Sequence, residues 1–285
     1  MGAGDGAIYT RGTAQAGGFR IPYLQGGLER EVEPVLYLHG FGGGGRWESF
    51  QMALGTVTRA IAPQLPGWPA AVVPKSIAGV RDYAALMVQL LDALGLDRVT
   101  VVGHSFGGWV AQYLATEHPE RVSRLALIDS LGLDVPGAPA EALDALDEDG
   151  FAARAFGKLG LVATAQAYGF GAEWQNIRQG QEFERQWKGR GLVAELAGGR
   201  PGDPILTTAV QSLRLPTLVM WGRLDGIVPL QHAQLLNQWI PGSSLRVMDR
   251  AGHLPIIERP ETANRLIRNF LLGLEEPIDG VSATG

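Results

Sequence analysis

The stretch VVGHSFGGWVAQYLA, Val101–Ala115, decides how the rest of the chain is read. Arg98–Val102 is short and valine-rich, the pattern of a buried strand. From Phe106 the period changes: Val110, Tyr113 and Leu114 fall at helical spacing, and the run stops at His118-Pro119. Ser105 therefore stands at a strand-to-helix junction with almost no loop. So tight a turn forces unusual backbone angles on the serine, and Gly103, Gly107 and Gly108 leave room for it.

G-x-S-x-G between a strand and a helix is the nucleophile-elbow arrangement, which lifts the hydroxyl above the sheet and aims the first helix amides at the same space. The motif is short, and the chain holds 40 glycines. Its meaning depends on whether a base, an acid and oxyanion donors follow in workable order.

Composition narrows the field. The chain has 285 residues, 46% hydrophobic and 19% charged, enough for one large globular unit or a core with an insertion. The net charge of -5 and the absence of any basic run argue against a nucleic-acid partner. With no cysteine, disulfides, thiolate metal sites and cysteine catalysis are excluded. The start, MGAGDGAIYTRGTAQAGG, lacks the basic and apolar regions of a secretory leader, and no apolar run approaches a membrane span. The expectation is a soluble, cytoplasmic protein with no membrane partner, acting on a small molecule; its oligomeric state is not legible.

Strand-like runs at Val35–Leu38, Thr58–Ala62, Arg98–Val102, Arg124–Ile128, Thr217–Trp221 and Leu245–Met248 alternate with helical patterns. The clearest helix runs from Ile77 to Leu94, with Val80, Tyr83, Met87, Leu90, Leu91 and Leu94 on one face, Ser76 as N-cap and Gly95 as stop. A last helix spans Glu261–Leu272. The alternation predicts an α/β fold: a mostly parallel sheet with helices on both faces. It breaks between Asp134 and Leu213, which reads as a helical cap over one end of the sheet, the core being 1–133 and 214–285. Ordinary crossover helices are the alternative.

Five histidines compete for the role of base. His253, in DRAGHLP after the last strand, sits where a loop hangs over the sheet's C-terminal edge. His118 reads as a surface residue, His232 as solvated on a polar helix face, and His104 as pointing away from the serine beside it. Asp225, in MWGRLDGIVP, is the preferred acid; an aspartate of a plain D-G turn is the bland reading, Asp129 the rival, and Asp249 too near His253 in the chain. In VLYLHGFGGGG, the N–H of Phe41 would pair with that of Phe106 as oxyanion donors. Gly40–Gly45 also fits G-x-G-x-x-G, but no Asp or Glu lies between Glu48 and Asp82 to hold a ribose, so no dinucleotide is expected. No phosphate loop and no metal-ligand spacing occurs, so neither cofactor nor metal is expected.

The four motifs LHGFGG, GHSFGG, WGRLDGIVP and AGHLP, in this order, resemble the α/β-hydrolase superfamily over about Pro34–Leu272. The resemblance implies a serine hydrolase with a Ser105-Asp225-His253 triad and a cap. Ser105 argues against epoxide hydrolases and haloalkane dehalogenases, which carry aspartate at the elbow. His39-Gly40-Phe41-Gly42 differs from the H-G-G-P-G of proline iminopeptidases, and Gln64-Leu65-Pro66-Gly67-Trp68 departs from the D-x-P-G-x-G of many relatives. The leading expectation is hydrolysis of small to medium, largely apolar carboxylic esters or lactones through an acyl-enzyme. A carbon-carbon bond hydrolase of ring-fission diketones is the alternative; it would need a carboxylate-binding group, for which Arg154, Arg178, Arg185 and Arg190 are candidates. A slow-turnover small-ligand receptor on the same fold is a third reading, and a cofactor-free oxygenase a remote fourth. Pocket residues are expected among Phe151, Phe156, Leu159, Leu161, Tyr168, Phe170, Trp174, Phe183 and Trp187.

Overall fold

The computed structural model describes residues 9–29, 32–41, 43–68, 73–156, 191–200 and 202–274. Its strands are β1 (Tyr9–Ala16), β2 (Phe19–Gly26), β3 (Val35–Leu38), β4 (Ala60–Pro63), β5 (Val99–His104), β6 (Val122–Ile128), β7 (Thr217–Gly222) and β8 (Ser244–Met248). They form one sheet in the order β1-β2-β4-β3-β5-β6-β7-β8. From β4 to β8 the pairing is parallel; β1 and β2 add an antiparallel hairpin at one edge. Every expected strand is present, its ends displaced by no more than two residues. The β1–β2 hairpin is an addition that the sequence reading missed.

Side chains alternate across each strand, and both faces are covered. Leu36, Leu38, Val101, Leu125, Leu127, Val219 and Trp221 enter one core. It holds helices α2 (Val80–Ala93) and α3 (Phe106–Glu117). Val35, Tyr37, Val102, Ala126, Ile128, Leu218 and Met220 enter the other, with α1 (Ser49–Gly55) and the last helix, Pro260–Leu272. This two-sided burial is why the core strands read as unbroken apolar runs rather than as alternating ones.

Helix α2 starts at Val80, three residues later than expected, and Ser76 is not its cap. Asp82 does that work from inside the first turn: its Oδ2 accepts from the N–H of Ala78 (2.7 Å) and Gly79 (3.0 Å). Between β6 and β7 the described residues include α4 (Glu148–Ala155), a helical stretch over 191–196, and the helix Pro204–Ala209, but no strand of the sheet. Asp203 caps that helix through Oδ1, 2.8 Å from the Ile205 N–H, while its Oδ2 accepts the Tyr113 hydroxyl of α3. No helix among the described residues is long and apolar enough to cross a membrane.

Helix α3 runs directly against the end of β3. A Cβ on Gly107 would collide with the Leu38 and His39 carbonyls, which are backbone and cannot swing away. Gly107→Ala should therefore cost about 3 kcal/mol or more, at the upper end of overpacking penalties. Gly18→Ala, in the open β1–β2 turn at φ +80°, meets nothing within 4 Å and should cost only about 1–2 kcal/mol, from backbone strain. Urea titration of both variants checks the contrast; equal losses would refute the close-approach argument.

Candidate active site

Strand β5 ends at His104 and α3 begins at Phe106, so one residue makes the whole turn. Ser105 takes φ 52°, ψ −117°, the left-handed side of backbone space that a non-glycine residue occupies only under constraint. The constraint is visible. Its N–H donates to the Ile128 carbonyl (3.0 Å), and its carbonyl accepts from Gly108 (3.0 Å), Trp109 (3.2 Å) and Leu131 (3.1 Å).

Ser105 Oγ lies 2.8 Å from His253 Nε2, and His253 Nδ1 lies 2.9 Å from Asp225 Oδ2. The carboxylate accepts a hydrogen bond from Nδ1–H, which leaves the Nε2 lone pair to accept from the serine hydroxyl. Asp225 is fixed by its own loop: Oδ1 accepts from the N–H of Ile227 (2.8 Å) and Val228 (3.0 Å), an Asx turn. Buried Trp221 fastens that loop from below, its Nε1 donating to the Val228 carbonyl at 3.0 Å. The side chains of His253 and Asp225 are 4% and 0% exposed, so water does not compete for these bonds.

The backbone of His253 is held from two directions. Its N–H donates to the Ala155 carbonyl at the end of α4 (2.7 Å), and the neighbouring Arg154 carbonyl accepts from Gly226 beside Asp225 (3.0 Å). Its carbonyl accepts from His104 Nε2 (2.8 Å). His104 thus points away from the serine hydroxyl, as expected, but towards the main chain of His253. Burial pushes its pKa down to about 3. His39 is a second neutral imidazole: Nδ1 donates to the Gly40 carbonyl (2.8 Å), Nε2 accepts from the Leu65 N–H (3.0 Å), and burial lowers its pKa to about 4. It ties the loop after β3 to the Gln64–Trp68 turn, where Gln64 Nε2 donates to the Trp68 carbonyl at 2.8 Å.

The loop carrying Phe41 lies against the elbow. A Cβ on Gly40 would sit 2.8 Å from the Ser105 Cβ. Phe106 opens α3, where a backbone N–H has no partner within the helix. The Phe41 ring meets Phe151 of α4 edge-on at 5.6 Å. Of the other expected pocket residues, Phe156 packs at the border of the core, and 159–187 lie outside the described residues.

One reading of the sequence changes. His232 is not solvated: it is fully buried, Nε2 donating to the Ala138 carbonyl at 2.7 Å, and burial lowers its pKa. His118 does lie at the surface, 3.8 Å from Glu120. Asp129, the rival acid, lies within the site. It is buried beside Asp225 and His253, with one ligand atom of each of the three within 4.8 Å of the others. Because Asp225 Oδ2 and His253 Nδ1 bond each other, this group is not an open metal-ligand set.

A Ser-His-Asp chain at the C-terminal edge of a parallel sheet can generate a nucleophile, but it recurs on unrelated folds. Similarity to known proteins decides the family. The sequence pattern of the "Alpha/beta hydrolase family" matches residues 35–266.

The chain belongs to the α/β-hydrolase family. It is 30% identical to the 2-hydroxy-6-oxo-2,4-heptadienoate hydrolase of Pseudomonas putida, covering 87% of this chain and 94% of that one. It is 32% identical to a 2-hydroxymuconate semialdehyde hydrolase of Pseudomonas putida, covering 84% and 86%. Among solved structures, a serine hydrolase from Cycloclasticus zankles superposes with a TM-score of 0.73 at 22% identity, covering 93% of this chain and 98% of that one. As a member of this family the protein is a hydrolase.

The buried neutral histidines generate a stability prediction. His104 stays neutral in the fold down to about pH 3, whereas the unfolded chain takes up that proton near ~6.5. Stability is therefore lost as pH falls below about 6.5, by up to about 1.4 kcal/mol per pH unit. Asp129 and Glu258, both pushed upward, act in the opposite direction, so the comparison must be between variants. His104→Asn, whose amide still has a donor for the His253 carbonyl, should lose about 2 kcal/mol less than wild type between pH 7 and pH 5. Denaturant titrations at the two pH values test this; parallel losses would contradict it.

Proposed function

We propose that this hydrolase cleaves small to medium, largely apolar carboxylic esters, lactones included, through an acyl-enzyme on Ser105. The observation that carries the reading is the unbroken chain Ser105 Oγ, His253, Asp225, at 2.8 and 2.9 Å. In this reading Ser105 attacks the acyl carbon while Nε2 of His253 takes its proton. The N–H groups of Phe41 and Phe106 hold the tetrahedral oxyanion. His253 then protonates the departing alkoxide, and water, giving its proton to the same nitrogen, releases the acid and restores the serine. No cofactor or metal enters any step. Residues 134–213 are read as the cap, and the location as cytoplasmic.

Two features favour an ester. A leaving alkoxide needs one proton on oxygen, and His253 Nε2 is placed to give it. The aromatic pair Phe41–Phe151 joins the oxyanion loop to α4, an apolar contact suited to an uncharged acyl or alcohol group. The names of the two Pseudomonas relatives favour the second reading, a carbon-carbon hydrolase of ring-fission diketones. That chemistry calls for a cation to hold the substrate carboxylate. Arg154 is already paired with Glu141 at 3.0 Å; Arg178, Arg185 and Arg190 lie outside the described residues.

A panel of chromogenic esters, lactones and ring-fission dienes separates the readings. Ester or lactone turnover that falls at least about a thousandfold in Ser105→Ala is expected. Turnover of the dienes alone would establish the second reading. Stoichiometric labelling without turnover would point to a ligand-binding role. Asp225→Asn should fold normally yet lose most activity, since the imidazole would hold the wrong tautomer.

The contact between Phe41 and Phe151 sets a further expectation. Phe151→Ala should change the ranking of kcat/KM along an acyl-chain series, within about 10–200-fold. An unchanged ranking at equal Tm would mean that α4 does not touch substrate.

A further inference from the structure

Asp129 has no part in the steps above, yet it is among the most constrained residues of the site. It follows β6, is fully buried, and has φ +43°. Aspartate tolerates that conformation better than most residues, but it is not adopted without cause. Its Oδ1 accepts from the Gly222 N–H at 2.9 Å. Its Oδ2 is buried and meets no donor among the described residues. The polar group beside Oδ2 is the Asp225 carboxylate.

Two adjacent buried carboxyl groups cannot both be ionised without a compensating charge between them. The donors decide where the proton resides. Asp225 receives three: the N–H groups of Ile227 and Val228 and the ring N–H of His253. Asp129 receives one. Among the described residues no lysine or arginine forms an ion pair with either carboxylate. Arg223 pairs with Asp249 at the surface (2.5 Å), and Arg154 with Glu141. His104 and His232 are pushed towards neutrality by burial. Glu258, which accepts from the Gly252 N–H at 2.8 Å, would add negative charge rather than relieve it.

We infer that Asp129 is a neutral carboxylic acid whose Oδ2–H donates to the Asp225 carboxylate, making it a positioning residue that moderates the basicity of the Asp225–His253 pair. The orphaned oxygen then becomes a donor, and the pair carries one negative charge instead of two. Burial first, and the adjacent Asp225 second, push Asp129 well above the usual carboxylate range. The inference rests on the proposed role of His253 as base.

Isosteric substitution separates a neutral Asp129 from an ionised one. Asp129→Asn keeps an acceptor for Gly222 and a donor for Asp225. It should retain kcat/KM within about threefold, with the acid limb of the pH profile unmoved. Asp129→Leu removes the donor, leaves Asp225 more basic and stabilises the imidazolium, so the acid limb should move to higher pH by about half a unit or more. An ionised Asp129 predicts the opposite for Asn: losing a buried negative charge would move the limb to lower pH, and that result would overturn the inference. An unmoved limb in a folded Asp129→Leu would also overturn it.

The protonation state can be read without catalysis. The infrared difference spectrum of wild type minus Asp129→Asn at pH 7 should show a protonated-acid C=O band. A carboxylate band in its place would refute the inference even if Asp129→Leu fails to fold. Should the band be present while turnover survives His253→Ala, the assignment of the base fails and the neutral Asp129 stands.

Discussion

One residue turns the chain from a fully buried strand into a largely buried helix, and the rest of the site is arranged around that constraint. Ser105 can hold its positive φ because its N–H is taken by β6 and its carbonyl by Gly108, Trp109 and Leu131. The same tightness demands glycine at 107, where α3 presses on the carbonyls that end β3. The strain is local, and the surrounding hydrogen bonds are what sustain it. In return the hydroxyl is fixed to the sheet rather than to a loop, so loops from β3, β7 and β8 can be aimed at a stationary point.

Those loops are held by backbone bonds and by buried side chains together. The main chain of His253 is gripped by the Ala155 carbonyl on one side and the His104 ring on the other; the Arg154 carbonyl holds the turn that carries Asp225. The segment between β6 and β7 therefore takes part in positioning Asp225 and His253. Buried imidazoles at 39 and 104 serve as neutral struts. Each has a tautomer dictated by a carbonyl that can only accept, and His39 also by an amide that can only donate. Their expected cost is acid sensitivity.

What was legible in the sequence follows from what is local. The six core strands stood out because burial on both faces leaves continuous apolar runs. The elbow, the Asp225 turn and His253 stood out because each lies one short loop beyond a strand. The β1–β2 hairpin was missed because only four of its sixteen strand residues are buried and its alternation is weak. The Gly17-Gly18 pair, at φ +58° and +80°, was the available signal. His232 looked solvated because its neighbours on the helix are polar; only the tertiary packing of Ala138 above it shows otherwise. Asp129 could be named as a rival acid, but not as a partner of Asp225, because strands β6 and β7 become neighbours only in the folded sheet. The carbonyls of Arg154 and Ala155 carried no signal, since any residue supplies a carbonyl.

The central claim is that Ser105 is the nucleophile, activated by His253. The most direct test is mass spectrometry of the protein after reaction with a fluorophosphonate, followed by peptide mapping. One adduct per chain is expected, on the peptide containing Ser105, with its formation abolished in Ser105→Ala and slowed strongly in His253→Ala. An adduct on another residue, or one that persists in Ser105→Ala, would contradict the account.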